Sequence, residues 1–504
     1  MARDLFGSIG PRAKGQASSG KISRLRQFAQ NNLGTIMTND MGTARVFRKD
    51  KLDIYDQYYE NCQYDNLQDW ETAVKADVYV PVRDRKPRII YNMAKILVDK
   101  VTAKLCGQKV FPKFTIEDDP DDTEFFRTII KASSLRRNLI EPVRHALISG
   151  SSFIRYFLVD GNLELEWANA KYCYPKFDAI GELEEIEIKY VFEDWEDVDA
   201  KGDPKLKWYR LVLTKMSDTL SDTPDYISGA KPTFTDVEVN QHNLGWVQGE
   251  WLPTSKNKFD PDGPSLFGDI LGFIDDANYS LSQSSQAVGY NQEPQLGVKG
   301  IDEEELDTLI RSSQKAWNLG KDGEAKFIES ALEGVKQATE VRGDNRNRML
   351  EVVRVVLQDP EKIAGNAQSG SALEILNAPL IELIDELRSV FEPKFKNLIL
   401  KMSLTCLMYN AKGEQTAIET PPGYMPTSMD LTAQWPAIFP PTLTDIQMMC
   451  TSAVAVAGAN IISRETLTRW LAPVFNIENV DEELEKIESQ PPPPNPFGDF
   501  GGGQ

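Results

Sequence analysis

Histidine is nearly absent from this chain of 504 residues, which holds only His145 and His242. Two imidazoles cannot build a histidine-rich metal centre, and neither stands beside a serine or cysteine in a nucleophile motif. His145 therefore reads as a structural side chain. The five cysteines (Cys62, Cys106, Cys173, Cys406, Cys450) are scattered without a CxxC pair. That spacing argues against a disulfide framework and a zinc site, and it fits a reducing cytosol. Long apolar runs are missing too. NLILKM (397–402) falls far short of the roughly 20 residues that cross a bilayer. The opening MARDLFGSIGPRAKG lacks the apolar core of a signal peptide. There is no GxSxG and no HExxH, so nothing points to an enzyme or a cofactor. Basic charge is scarce: 56 Lys and Arg stand against 76 Asp and Glu, for a net charge of −20. This argues against wrapping DNA on a basic surface, although an acidic protein can still handle DNA if its job is to let it slide without sticking.

Three near-motifs fail on inspection. GQASSGKIS (15–23) approaches a phosphate-binding loop, but Ile22 stands where a magnesium-binding hydroxyl belongs, and no apolar strand precedes it. NKFDPDGPS (257–265) puts Gly263 too soon after Asp260 for a calcium loop and lacks the closing glutamate. EDDPDDTE (117–124) could hold a cation, but it reads as well as a charged loop ahead of a helix, with acids favoured at the N-terminus.

Hydrophobic residues make up 41% of the chain, enough for several folded lobes at this length. Residues 1–50 are the basic exception, with nine Lys and Arg against three Asp, and are expected to be a flexible arm. Helices are expected at 91–107 and at 124–150, the second broken at Pro142. SFIRYFLVDGNLELEWANA (152–170) reads as strand, Asp-Gly turn, strand, with further strands at 184–194 and 207–216. A helical start that passes into a meander gives an α+β lobe.

The organising stretch comes later. A helix with a dense apolar face, RMLEVVRVVLQ (348–358), leads to a glycine-containing break, DPEKIAGNAQSGS (359–371). One long helical run follows, 372–410. In it Leu373, Leu376, Leu380, Leu383, Ile384, Leu387, Val390 and Phe391 recur at the spacing of one helix face. Pro379 and Pro393 lie inside it, so a kink is expected. Such a helix, roughly 55 Å if continuous, is too long for the middle of an ordinary domain.

Helix, loop with Gly365 and the SGSAL of 369–373, then a very long kinked helix resembles the core of the portal proteins of tailed phages. The similarity extends both ways. SLFGDILGFIDDANYSLSQSSQAV (265–288) resembles the helix entering the portal stem, and NQEPQLGVKG (291–300) the strand that opens the clip. SRETLTRWLAPVFNIENVDEELEKIESQ (463–490) resembles the helical crown. The order of these features carries the resemblance, over roughly 265–490 closely and 51–264 more loosely.

The resemblance implies an α+β portal fold, mainly helical in its core and assembled as a ring. Its parts would be an arm (1–50), a wing (51–265), a first stem helix (266–290), a clip (291–340) and a second stem helix (341–358). A tunnel loop (359–371), a long wing helix with return strand (372–441), a crown (442–490) and a Pro/Gly tail (491–504) would follow. In the first stem helix Phe267, Ile270, Leu271, Ile274, Asn278 and Leu281 share a face. Beyond Leu281 the helix turns small and polar, as if awaiting neighbouring copies. Arg342-Gly343-Asp344 reads as a turn before the second stem helix. Clip elements are expected as strands at 295–299 and 325–329 and a helix at 303–319.

DNA-channel candidates are Lys362, Gly365, Asn366 and Gln368 of the loop and Arg346, Arg348 and Arg354 of the stem. Glu303, Glu304 and Glu305 are candidates for clip docking. Implied partners are further copies in a ring of twelve, double-stranded DNA, the terminase large subunit, a head–tail adaptor, and major capsid and scaffolding proteins, with no membrane. The implied location is the virion, after assembly in the host cytoplasm, and no cofactor is implied. The alternative is an intracellular α/β enzyme or another capsid component.

Overall fold

The computed structural model describes residues 41–75, 78–116, 119–255, 260–292, 295–299, 324–328, 333–357, 374–413, 426–439, 443–458, 462–475 and 480–489, with four single residues between them. The chain divides into two compact units. One comprises Met1–Val356 with Glu382–Trp435, the other Leu357–Ile381 with Pro436–Gln504.

The first unit begins with helix α1 (Met41–Tyr59), so ordered helix starts inside the segment expected to be a flexible arm. Strand β1 (Gln68–Asp69) leads into a short helix α2 (Trp70–Val74), strand β2 (Arg85–Lys86) pairs parallel with β1, and α3 (Met93–Cys106) and strand β3 (Lys113–Thr115) follow. Asn92 caps α3 by accepting from the Lys95 N–H. Leu97, Val98, Val101 and Leu105 give α3 one buried face. Helix α4 (Pro120–Ala132) is capped by Asp119, which accepts from the Asp122 N–H, with Pro120 in the first turn. The acidic cluster is thus a helix start. Its Asp122 is buried and accepts from Tyr424 Oη at 2.5 Å and from the Thr427 N–H at 2.7 Å.

Helix α5 (Leu135–Ser149) contains Pro142 without breaking. The expected break lies earlier, at Ser134, whose φ of 49° is left-handed. There the Ser133 hydroxyl turns back to Ile129 O, which also accepts the Ser133 N–H and so ends the preceding helix. Gly150 ends α5 at φ 85°. A Cβ there would sit 1.9 Å from Gly263 O, so only glycine fits.

Strands β4 (Ser151–Val159) and β5 (Asn162–Asn169) form the expected hairpin around Asp160-Gly161, and β11 (Gly249–Pro253) completes the sheet in the order β11-β4-β5. The second sheet is antiparallel and five-stranded. It comprises β6 (Cys173–Phe177), β7 (Leu183–Val198), β8 (Pro204–Thr214), β9 (Ser217–Ser221) and β10 (Asp236–Gln241). The combination is α+β, as expected.

Two long helices and a hairpin follow: α6 (Leu271–Gln292), β12 (Gln295–Lys299) paired with β13 (Glu324–Ile328), and α7 (Glu333–Val353). Helix α7 starts earlier than expected and takes in Arg342-Gly343-Asp344, so that tripeptide is helix and not a turn. Helix α8 (Ala378–Ala411) is the long one. Its 34 residues span about 50 Å. Pro379 falls at the second position, where a missing donor costs nothing; only Pro393 is interior. Within the first unit α8 is tied to β11 by a buried carboxylate. Glu250 accepts from Lys401 Nζ at 2.6 Å and from Lys394 Nζ at 3.3 Å. Residues 432–434 form β14 (Thr432–Gln434), paired with β3 (Lys113–Thr115).

The second unit contains α9 (Leu443–Gly458), α10 (Arg464–Phe475) and α11 (Val480–Ser489), near the helices expected there. Ser463 caps α10, accepting from the Thr466 N–H at 3.1 Å.

Candidate functional site

The feature that the rest of the first unit positions is the helix pair α6 and α7. Asn345 Nδ2 donates to Asp276 at 3.1 Å. The end of α7 meets the turn at Gly268–Ile270, so the two helices run antiparallel. Hairpin β12–β13 lies between them in sequence. Met349 and Val353 are the buried residues of α7, one turn apart on the face toward α6.

The root of α6 is fixed by the residues before it. Gly150 O accepts from the backbone N–H groups of Thr254 and Gly263, both at 2.9 Å, and Leu147 O accepts from Leu266 N–H. Between them Asp262, nearly inaccessible, accepts from Arg48 Nη2 at 2.8 Å and Nε at 2.5 Å, and also from the Ser151 hydroxyl. Arg48 additionally donates to Cys173 O at 2.6 Å and lies over the Trp251 ring. Within the described part of that string, 260–265, Asp262 serves an ion-pair clamp. Phe267 then meets Tyr55 edge-on at 5.9 Å.

Further along, α6 departs from the expectation drawn from its polar half. Asp275, Asn278, Ser282 and Gln286 recur at three- and four-residue steps, and this face is occupied within the same chain. Asp275 accepts from Tyr58 Oη at 2.8 Å and Tyr64 Oη at 2.5 Å. Asn278 Oδ1 accepts from the Tyr91 N–H, and Ser282 Oγ from the Ile89 N–H. Gln286 accepts from Trp70 Nε1. Small polar side chains suit this face because the partners are an extended backbone at 89–91 and ring hydroxyls. Neighbouring copies are not needed to satisfy it.

The candidate channel residues fall into two groups. Arg346 and Arg348 are exposed on α7. Arg354 is different: it stands just past the helix at φ 57°, and its Nη2 meets Glu386 of α8 at 2.7 Å. It is pinned to this chain's own carboxylate rather than carried on the helix face. Lys362, Gly365, Asn366 and Gln368 lie outside the described residues, as do Glu303, Glu304 and Glu305, the helix expected at 303–319, the string 15–23 and the tail. Among the described residues no group of three or more His, Cys, Asp or Glu could hold a metal ion. No described helix is long and apolar enough to cross a membrane.

His145 is half-buried and stacked on Trp167, ring centroids 4.3 Å apart. Burial holds its imidazolium pKa below the ordinary value. The unfolded chain then binds a proton first, so stability should fall as pH drops below about 6.5. Urea midpoints at pH 7.5 and 5.5 check this. His145→Phe, which keeps the stack, should show a smaller difference between the two pH values than the wild type.

Two long antiparallel helices joined by a hairpin, followed by a long proline-bearing helix, are the architecture to which the family comparison applies. The profile described as "Phage portal protein, SPP1 Gp6-like" matches residues 47–491, and the chain belongs to that family. Membership makes it a structural protein of the virion with a role at the capsid portal, in a capsid-associated oligomeric ring. Among solved structures, a chain of "Virion of native gene transfer agent (GTA) particle" is similar at 10% identity and a TM-score of 0.36. The match covers 75% of this chain and 88% of that one. No curated protein matches.

Proposed function

We propose that this chain forms a ring of about twelve copies at one capsid vertex, as in related phages. The ring conducts double-stranded DNA in packaging and ejection. The observation that carries this is the family match together with the order helix, hairpin, antiparallel helix, long proline-bearing helix. On this reading 51–265 is the wing, 266–290 and 341–358 the stem, and 291–340 the clip. The long helix with its return strand covers 372–441 and the crown 442–490. The clip carries eleven acidic against six basic residues. It docks the terminase large subunit, with Glu303, Glu304 and Glu305 at its surface, and later a head–tail adaptor. Capsid and scaffolding proteins meet the ring during assembly in the host cytoplasm.

The loop 359–371 faces DNA in this reading. Lys362, its one cation, would repeat around the ring as a belt that meets successive phosphates, while the net negative chain prevents tight binding. Arg346 and Arg348, being exposed, add to the stem lining; Arg354 stays with Glu386. Electron micrographs of the purified protein should show annuli, and a monomer at every concentration and salt would sink the proposal. Lys362→Ala should leave annuli intact but change the amount of DNA packaged or retained. Gly365→Val should be worse, because the larger side chain narrows the passage in this reading. Full genomes held normally in particles with both changes would remove this loop from the channel.

A further inference from the structure

The three helices of the second unit bury little apolar surface among their described side chains. Among their described residues the only apolar side chains that are buried are Ala453 and Ala472, and α11 buries none at all. Full burial of one leucine or isoleucine gives about 1.5–3 kcal/mol, and two alanines give far less. A single layer of amphipathic helices needs a second layer to cover it. Large apolar side chains meanwhile stand in solvent: Val454 is 72% exposed, Trp470 53%, and Met448 and Phe475 are similar to Trp470.

Charge narrows the choice of cover. After the buried Asp445, helix α9 carries no charged residue. Its exposed positions are Gln447, Met448, Thr451, Ser452, Val454 and Ala455. Helix α11 is the opposite, with Asp481, Glu482, Glu483, Glu485 and Glu488 against Lys486. In a chain of net charge −20, identical copies can approach closely only where neither presents acid. The exposed face of α9 is such a place. A closed ring also needs two different patches on each copy, because its contacts are head-to-tail. The unit has two: the low-relief uncharged face of α9, and Trp470 and Phe475 projecting from α10.

We infer that the exposed face of α9 is an interface between copies of this chain, receiving the Trp470 and Phe475 side of α10 from the next subunit. The acidic α11 stays in solvent. This rests on the ring proposed above and names where its copies meet.

The test uses the full chain with Cys450→Ser, Ser452→Cys and Trp470→Cys, treated with a short bismaleimide. A ladder of chain multiples on a denaturing gel is expected, and either cysteine alone should give none. Val454→Arg, which places a charge in the proposed contact, should make rings dissociate at lower urea while the far-ultraviolet helical signal before dissociation stays unchanged. If wild-type rings form but the double-cysteine chain gives no ladder and Val454→Arg rings match wild type, the inference is overturned and the ring survives. If wild type forms no ring, the reading beneath it fails instead. If deletion of 490–504 rather than Val454→Arg weakens the rings, the tail covers this face and the inference is likewise overturned.

Discussion

Arg48→Ala should lower the stability of the first unit by about 3–5 kcal/mol, among the largest effects of any single substitution in it. The side chain of Asp262 is 1% exposed. Arg48 meets it with two nitrogens, and the remaining donor is the Ser151 hydroxyl. Removing the guanidinium leaves a carboxylate buried without its counter-charge, and the cost of that exceeds the worth of the pair itself. Cys173 O also loses a donor, and the ring of Trp251 loses the cation above it. Trp251 makes the change visible. Its indole N–H donates to Pro261 O at 2.7 Å, next to the clamp, so tryptophan fluorescence during urea unfolding reports on the site. Arg48→Met combined with Asp262→Asn should recover most of the loss, because no charge is then stranded. Equal midpoints for the single and double variants would refute the ion-pair account. The structural consequence follows from position, since 260–266 joins the β11-β4-β5 sheet to the root of α6.

That clamp also shows what the sequence could and could not reveal. Apolar periodicity marked α3 and the apolar stretch of α8, because burial of one face writes itself at a fixed spacing. The Asp160-Gly161 turn was readable for the same local reason: both positions need positive φ. Long-range polar pairs leave no such trace. Arg48 and Asp262 are 214 positions apart, and nothing near either names the other. The start of α1 is not legible because a basic, glycine-rich approach to it reads as mobile; the half-buried Arg48 is part of the anchor. The break at Ser134 is not legible because proline is the stronger breaker on paper, whereas the left-handed backbone of Ser134 separates the two helices. The channel candidates divide likewise. Arg354 looked like its neighbours in sequence, and only the partner at Glu386 sets it apart.

The polar face of α6 carries the second large effect. Asp275→Leu should destabilise the first unit by about 2–5 kcal/mol, from two buried phenolic hydroxyls left without their acceptor. Tyr58 and Tyr64 are both buried, and both donate to this one carboxylate. Burial pushes their pKa values upward, and the adjacent Asp275 charge pushes them further, so each remains a donor at every pH the fold tolerates. Asp275→Asn should cost less, because its carbonyl oxygen still accepts. Adding Tyr58→Phe and Tyr64→Phe to Asp275→Leu should return much of the loss, since the stranded hydroxyls go with it. Hydrogen exchange gives a local reading: amides at 271–286 should exchange faster in Asp275→Leu, while those of the five-stranded sheet keep wild-type protection. Uniform loosening of both would mean general destabilisation and no specific anchor. If α6 is the stem, as proposed, the consequence reaches assembly. A helix freed from Tyr58, Tyr64 and the 89–91 backbone cannot hold its angle to the wing, and rings of Asp275→Leu should show a blurred stem above a sharp wing in averaged micrographs.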